Sequence, residues 1–147
     1  MSAVMDHLLG QTRRQFWFIG RDLDRQLFDH EGFEKPLFEL ATAGRHSDIR
    51  FLIHDSVDAI RQHHAVHRLA QRLSSYIEVR IISDDFRSFN ESFALFDQRA
   101  AIYRSQADRY DGLAECAHGN LAKMLGQQFQ EIWNASKPDP NFRQIRL

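Results

Sequence analysis

The chain has 147 residues, 27% of them charged and 43% hydrophobic, with a formal net charge of -1 and one cysteine. That is the make-up of one ordinary folded domain, and it excludes the disordered and fibrous classes; no stretch approaches the ~20 apolar residues that a bilayer-spanning helix needs. A near-neutral charge gives no global attraction to nucleic acid or anionic lipid, and Cys116 alone allows no intrachain disulfide, so the expectation is a single cytoplasmic domain over residues 1–147 without membrane insertion.

The N-terminus, with Asp6 and His7 ahead of a very short apolar run, lacks the layout of a secretory signal. The aromatic run at 15–19, closed by Gly20, reads as a first buried strand. Asp22 and Asp24 then start a turn or short helical piece through Leu27 and Phe28. Leu37, Leu40 and Ala41 predict a helix over about 34–43, with Pro36 in the first turn and Gly44 as its stop. At 48–54, Ile49, Phe51 and Ile53 alternate with Arg50, Leu52 and His54 as a second strand.

Asp55 or Ser56 caps a long predicted helix over 57–74, with Ala59, Ile60, Val66, Leu69, Ala70 and Leu73 as its apolar stripe. Residues 76–82 are rich in β-branched and aromatic side chains and form a third strand. The stretch 89–108 reads as two strands joined by the polar turn Asp97-Gln98-Arg99. Leu121, Met124, Leu125, Phe129 and Ile132 mark a last amphipathic helix, ended by Pro138 and Pro140, and residues 141–147 add an edge strand. Strands alternating with helices and followed by a hairpin predict an α/β domain: a mixed sheet flanked by helices.

The stretch 89–108 also resembles the phospholipase D superfamily, whose pattern H-x-K-x4-D-x6-G-S-x-x-N lies on a hairpin after a strand-helix-strand unit. Aligned without gaps, Asn90 falls at the nucleophilic histidine, Ser92 at the lysine and Asp97 at the aspartate. Arg104 then falls at the glycine, Ser105 at the serine and Asp108 at the asparagine, leaving Asp97 and Ser105 as the identities. The segment HAVHRLAQRLSS is similar to a helix of small bacterial domains of this superfamily. The resemblance implies one half-domain of a site that the family assembles from two, hence self-association as a homodimer through the motif face, or an unseen partner.

The chemistry does not carry over with the fold. Asparagine cannot form a covalent phosphohistidine, and the loss of lysine at Ser92 removes a cation that would neutralise phosphate. The leading expectation is therefore a non-catalytic binding or regulatory module. It would recognise a phosphate-bearing ligand through Asn90, Ser92, Asp97, Arg104 and Ser105, without a cofactor. Two bland readings compete: Arg104 pairs with Asp97 or Asp108, and Asp97 hydrogen-bonds its own turn.

Histidines supply the alternatives. His64 is the candidate base or nucleophile of a non-standard phosphodiesterase, with Asp97 as the other catalytic candidate. His63 and His67, at helical spacing, are the metal candidates, against a competing reading in which they line the sheet or its margin. Arg61, Arg68, Arg72 and Arg80 suggest a basic face for nucleic acid, but Asp58, Glu78, Asp84 and Asp85 dilute it and a solvated helix face fits better. A protein-interaction domain is the remaining class.

Overall fold

The computed structural model of the chain describes residues 2–104, 113–116 and 120–143. Helix α1 (Ser2–Gly10) precedes strand β1 (Gln15–Gly20), helices α2 (Arg25–Phe28) and α3 (Glu31–Thr42), and strand β2 (Asp48–Ile53). Helices α4 (Val57–Arg61) and α5 (Ala65–Arg72) lead to β3 (Ile77–Ile81). The hairpin of β4 (Ser92–Phe96) and β5 (Ala100–Arg104) follows, then β6 (Leu113–Cys116), helix α6 (Asn120–Ala135) and the two-residue strand β7 (Lys137–Pro138).

These strands make one mixed sheet in the order β6-β5-β4-β1-β2-β3-β7. β1, β2 and β3 are parallel, while β4 runs antiparallel along the other side of β1, with Phe16 opposite Phe96 and Ile19 opposite Phe93. The expected α/β architecture, its three parallel strands and its hairpin are all present.

Alternation along β1 sends side chains to two cores. Phe16 and Phe18 face α1 to α5 and meet Phe28, Phe33, Phe51 and Phe96, with ring centroids 4.7 to 6.2 Å apart. Trp17 and Ile19 face α6, where Trp17 stacks on Phe129 at 4.9 Å. Arg50 caps this second core by lying over both Trp17 and Trp133, at 4.6 and 5.1 Å. Each buried phenylalanine contributes ~2–3 kcal/mol, so the aromatic run of β1 is the main reason the sheet forms around it.

The polar turn of the hairpin is tight. Asp97 and Gln98 both have left-handed backbones, with φ of 54° and 58°, and the Arg99 amide donates to the Phe96 carbonyl at 3.0 Å, as in a type I′ turn. Instead of bonding its own turn, the Asp97 carboxylate reaches across to β1. Oδ2 accepts the Arg13 amide, and Oδ1 accepts those of Arg14 and Gln15, each at 2.9 Å.

Several expectations differ from what forms. Residues 2–10 are helical because Met5, Leu8 and Leu9 pack on the first core. The long helix expected over 57–74 breaks at residues 62–64: His63 takes a left-handed backbone (φ 49°), and α5 starts afresh. An edge strand forms at Lys137–Pro138, antiparallel to β3; of the tail expected to supply one, residues 141–142 belong to a 3-10 turn and residues 144–147 lie outside the described part. Asp139 fixes that edge by accepting the buried Ser56 hydroxyl at 2.8 Å while its amide donates to the Val79 carbonyl at 2.9 Å. No helix among the described residues is long and apolar enough to cross a membrane.

Asp97 offers a direct test of what holds the hairpin to β1. In urea denaturation Asp97→Ala is expected to lower the unfolding free energy by about 3 kcal/mol, since three amides lose a charged acceptor. Asp97→Asn keeps one acceptor oxygen and a side chain suited to the left-handed turn, so it should lose about half as much. Equal stability of the wild type and the alanine variant would show that the carboxylate does not hold the register.

Candidate functional site

Parallel strands of an open sheet gather ligands beyond their C-terminal ends, where the loops diverge. Here β1 ends at Gly20, β2 ends at Ile53, and antiparallel β4 begins between them and β5 at Ser92. The loops after β1 and β2 are tied together: the His54 amide donates to the Arg21 carbonyl at 3.0 Å and the Asp55 amide to the same oxygen at 2.9 Å. Gly20 must lack a side chain, since a Cβ there would stand 2.6 Å from the Phe18 ring and 3.0 Å from Ser92 Oγ.

Over this junction lies a cleft of about 520 Å³, lined by Arg21, His54, Asp55, Arg87, Ser88, Phe89 and Asn90. Arg21 Nη2 donates to Asn90 Oδ1 at 3.1 Å, holding the asparagine with a cation. His54 Nε2 donates to the Phe89 carbonyl at 2.8 Å and so fixes the backbone just before Asn90. Arg87 is paired only with Asp84, at 3.2 Å, and both side chains are largely exposed. Ser92 lies buried below, and backbone register puts Arg104 of β5 opposite it.

The motif residues are thus divided. Asn90, Ser92 and the backbone of Arg104 share this end of the hairpin. Asp97 lies at the other end of β4, ~17 Å away along a five-residue strand, so it is a clamp for β1 and not a wall of the cleft, and the register sets its backbone far from that of Arg104. Ser105 and Asp108 lie outside the described residues. Arg21 and Arg87 were not singled out from sequence. Their only signal was position, immediately after a strand end and in the loop before the motif.

A second cleft of about 220 Å³ adjoins the first through Asp55 and is lined by Asp22, Asp24 and Asp58 as well. Burial pushes the Asp22 carboxyl up, helped by the charges of Asp24, Asp55 and Asp58 and opposed by Arg21. No three metal-capable side chains converge there or elsewhere among the described residues.

The histidine expectations change with the helix break. His63 is off the helix, so it and His67 do not share a helical face; their rings are 6.4 Å apart, and His67 Nε2 is committed to the Asn141 carbonyl at 2.8 Å. His64 is not a surface base. It caps α5, with Nδ1 accepting the Val66 amide at 3.0 Å, beside Asp29, whose Oδ1 accepts the Ala65 amide at 3.1 Å. Of the arginines weighed as a basic face, Arg68 pairs with Glu34, Arg80 with Glu78, and Arg72 lies over Phe38.

His64 is 1% exposed, and burial pushes its imidazole down from 6.5 to about 4, with Asp29 pulling it up and Arg25 and Arg68 pressing it further down. The unfolded chain takes up this proton near 6.5, and the folded chain resists until about 4. Stability is therefore unaffected by His64 above pH 6.5 and falls as the pH drops from 6.5 towards 4, by up to about 3 kcal/mol. His64→Asn keeps a capping acceptor without the titration, so its stability should fall less steeply over that window in denaturant melts at several pH values. Equal slopes for the two proteins would remove His64 as the source.

Comparison with solved structures places this geometry. The chain superposes on Nuc of Salmonella typhimurium, a phospholipase D family member, with a TM-score of 0.63 and 14% identity over 93% of this chain and 89% of that one. NucT from Helicobacter pylori gives a TM-score of 0.65 and 10% identity, over 93% and 89%. TrmBL2, an archaeal chromatin protein, gives 0.65 and 10%, over 94% of this chain and 50% of that chain. No curated protein sequence matches. The fold is phospholipase D-like, and by a match over residues 1–145 the chain belongs to the family described as Domain of unknown function (DUF7931).

Proposed function

We propose that the chain is a phospholipase D-like binding module without phosphodiesterase turnover, and that it takes a phosphate-bearing ligand in the cleft over the ends of β1, β2 and β4. The observation that carries this reading is the Arg21–Asn90 contact at 3.1 Å, at the position where the superfamily keeps its nucleophile. An amide oxygen held by a guanidinium is a poor attacking group, but the pair presents donors to an anion. Arg21 and Arg87 outnumber Asp55 in the lining, and Ser88 adds a hydroxyl. A two-fold dimer with the motif edges facing each other would double this donor set, as the likeness to half-domains suggests.

Binding is checked by thermal denaturation with inorganic phosphate, a nucleotide or a glycerophosphodiester headgroup. A ligand at 100 times its Kd adds about 2.7 kcal/mol, which for a domain of this size raises the Tm by roughly 5–10 °C. Arg21→Ala should abolish the shift and Arg87→Ala should reduce it. A panel that moves the Tm of the wild type nowhere would overturn the binding reading. Hydrolysis of a generic phosphodiester above background, lost in a variant of the cleft, would overturn the non-catalytic one.

A further inference from the structure

The edge of the sheet opposite the cleft collects arginines that nothing in the fold uses. Arg13 and Arg14 precede β1, Arg99 closes the β4–β5 turn, and Arg45 lies in the loop before β2. All four are exposed, and among the described residues none of their guanidiniums has a hydrogen-bond or ion-pair partner. Elsewhere Arg21 is engaged with Asn90, and Arg25, Arg50, Arg68, Arg80 and Arg87 with carboxylates, while Arg72 lies over Phe38 and Arg61, Arg143, Lys35, Lys123 and Lys137 stand dispersed without such partners among the described residues. Three of the unpaired cations at this edge, Arg13, Arg14 and Arg99, line one cleft, on a chain whose net charge is -1.

The acids at this edge are already spent. Asp97 is filled by three backbone amides, and Asp48 accepts from Arg50 at 2.9 Å and from the Trp17 indole at 3.3 Å. The same contacts make the arrangement rigid. Asp97 locks the Arg99 turn onto the backbone of Arg13 and Arg14, and Gln98 Nε2 donates to Gln15 Oε1 at 3.0 Å as a second tie. Two adjoining clefts of about 420 Å³ each are lined by both Arg13 and Arg99, one of them also by Arg14.

We infer that this edge is a docking surface for the phosphodiester backbone of nucleic acid. Their backbones lie at the ends of three neighbouring positions in the sheet, the β4–β5 turn, β1 and β2, so the cations are spread more widely than one isolated phosphate needs and suit a charge repeated along a polymer. Guanidinium forks suit phosphate oxygens bidentately, and the clamped backbone beneath Arg13, Arg14 and Arg99 lowers the ordering cost of binding. The aromatic ring in the lining, Phe96, is buried, so bases find no stacking platform and recognition is of backbone, independent of sequence. The surface is separate from the Arg21 cleft and does not rest on the function proposed for it.

Fluorescence anisotropy with a labelled 30-nucleotide single strand, and with its duplex, tests this at NaCl concentrations from 20 to 300 mM. Engaging about four phosphates predicts a log–log salt slope of roughly −3 to −4 and a ~100-fold loss of affinity between 50 and 200 mM. The double variant Arg13→Gln/Arg99→Gln, whose substitutions are exposed and leave Asp97 in place, should bind at least ~10-fold more weakly and with about half the slope. Arg61→Gln, an exposed arginine outside both clefts, should bind the strand as the wild type does, which separates this surface from charge in general. Absence of binding at 20 mM NaCl overturns the inference. So does binding that survives the double variant, binding that is lost in Arg61→Gln, or attachment to phosphatidylglycerol vesicles without any to the oligonucleotides.

Discussion

By accepting the amides of Arg13, Arg14 and Gln15, the Asp97 carboxylate fixes how β4 lies against β1. A strand exposes alternate faces with a period of two, so a slip of one residue there would exchange Phe93 and Leu95, which pack on α6, with Ala94 and Phe96, which pack on the phenylalanine core. The clamp acts at one end of β4 and sets the position of the other. With Phe96 opposite Phe16 and Phe93 opposite Ile19, Ser92 comes down over Gly20 and Asn90 reaches Arg21. The cleft therefore depends on a side chain that does not touch it.

Much of the frame is legible in the sequence because local pattern and tertiary demand agree. β1 is a short apolar run buried on both faces, β2 and β3 alternate buried apolar residues with half-buried Arg50, Glu78 and Arg80, and the hairpin announces itself by alternation around a polar turn. What is illegible depends on distant partners. No proline or glycine marks residues 62–64, and the break there rests on capping by His64 and by Asp29, which is 36 residues from the amide it accepts. Asp97 reads as an ordinary turn residue because its partners lie 82 to 84 positions away. Met5, Leu8 and Leu9 do carry helical spacing, so α1 leaves a signal, one too short to stand alone without the core it packs on.

Charge is sorted along the strands as apolarity is sorted across them. At the C-terminal edge of the parallel strands, Asp22, Asp24, Asp55 and Asp58 line one cleft, and Arg21 and Arg87 line the next. At the opposite edge the carboxylates of Asp97 and Asp48 are consumed by the fold, and the arginines beside them are left without counter-charges. Net charge close to zero hides this division, which is why composition argued against polyanion binding while the placement of the same residues argues for it.

At the cleft, a cation is oriented by an uncharged partner. Where the superfamily has a lysine, Ser92 is buried beneath Gly20, whose absent Cβ would stand 3.0 Å from the hydroxyl, so this position offers no cation. Positive charge comes instead from the loop after the neighbouring strand, through Arg21. Its partner is decisive. Paired with a carboxylate, the guanidinium would be neutralised and serve the fold; bonded to the uncharged oxygen of Asn90, it is oriented without being neutralised. Asn90 is thus a neutral anchor for the guanidinium of Arg21.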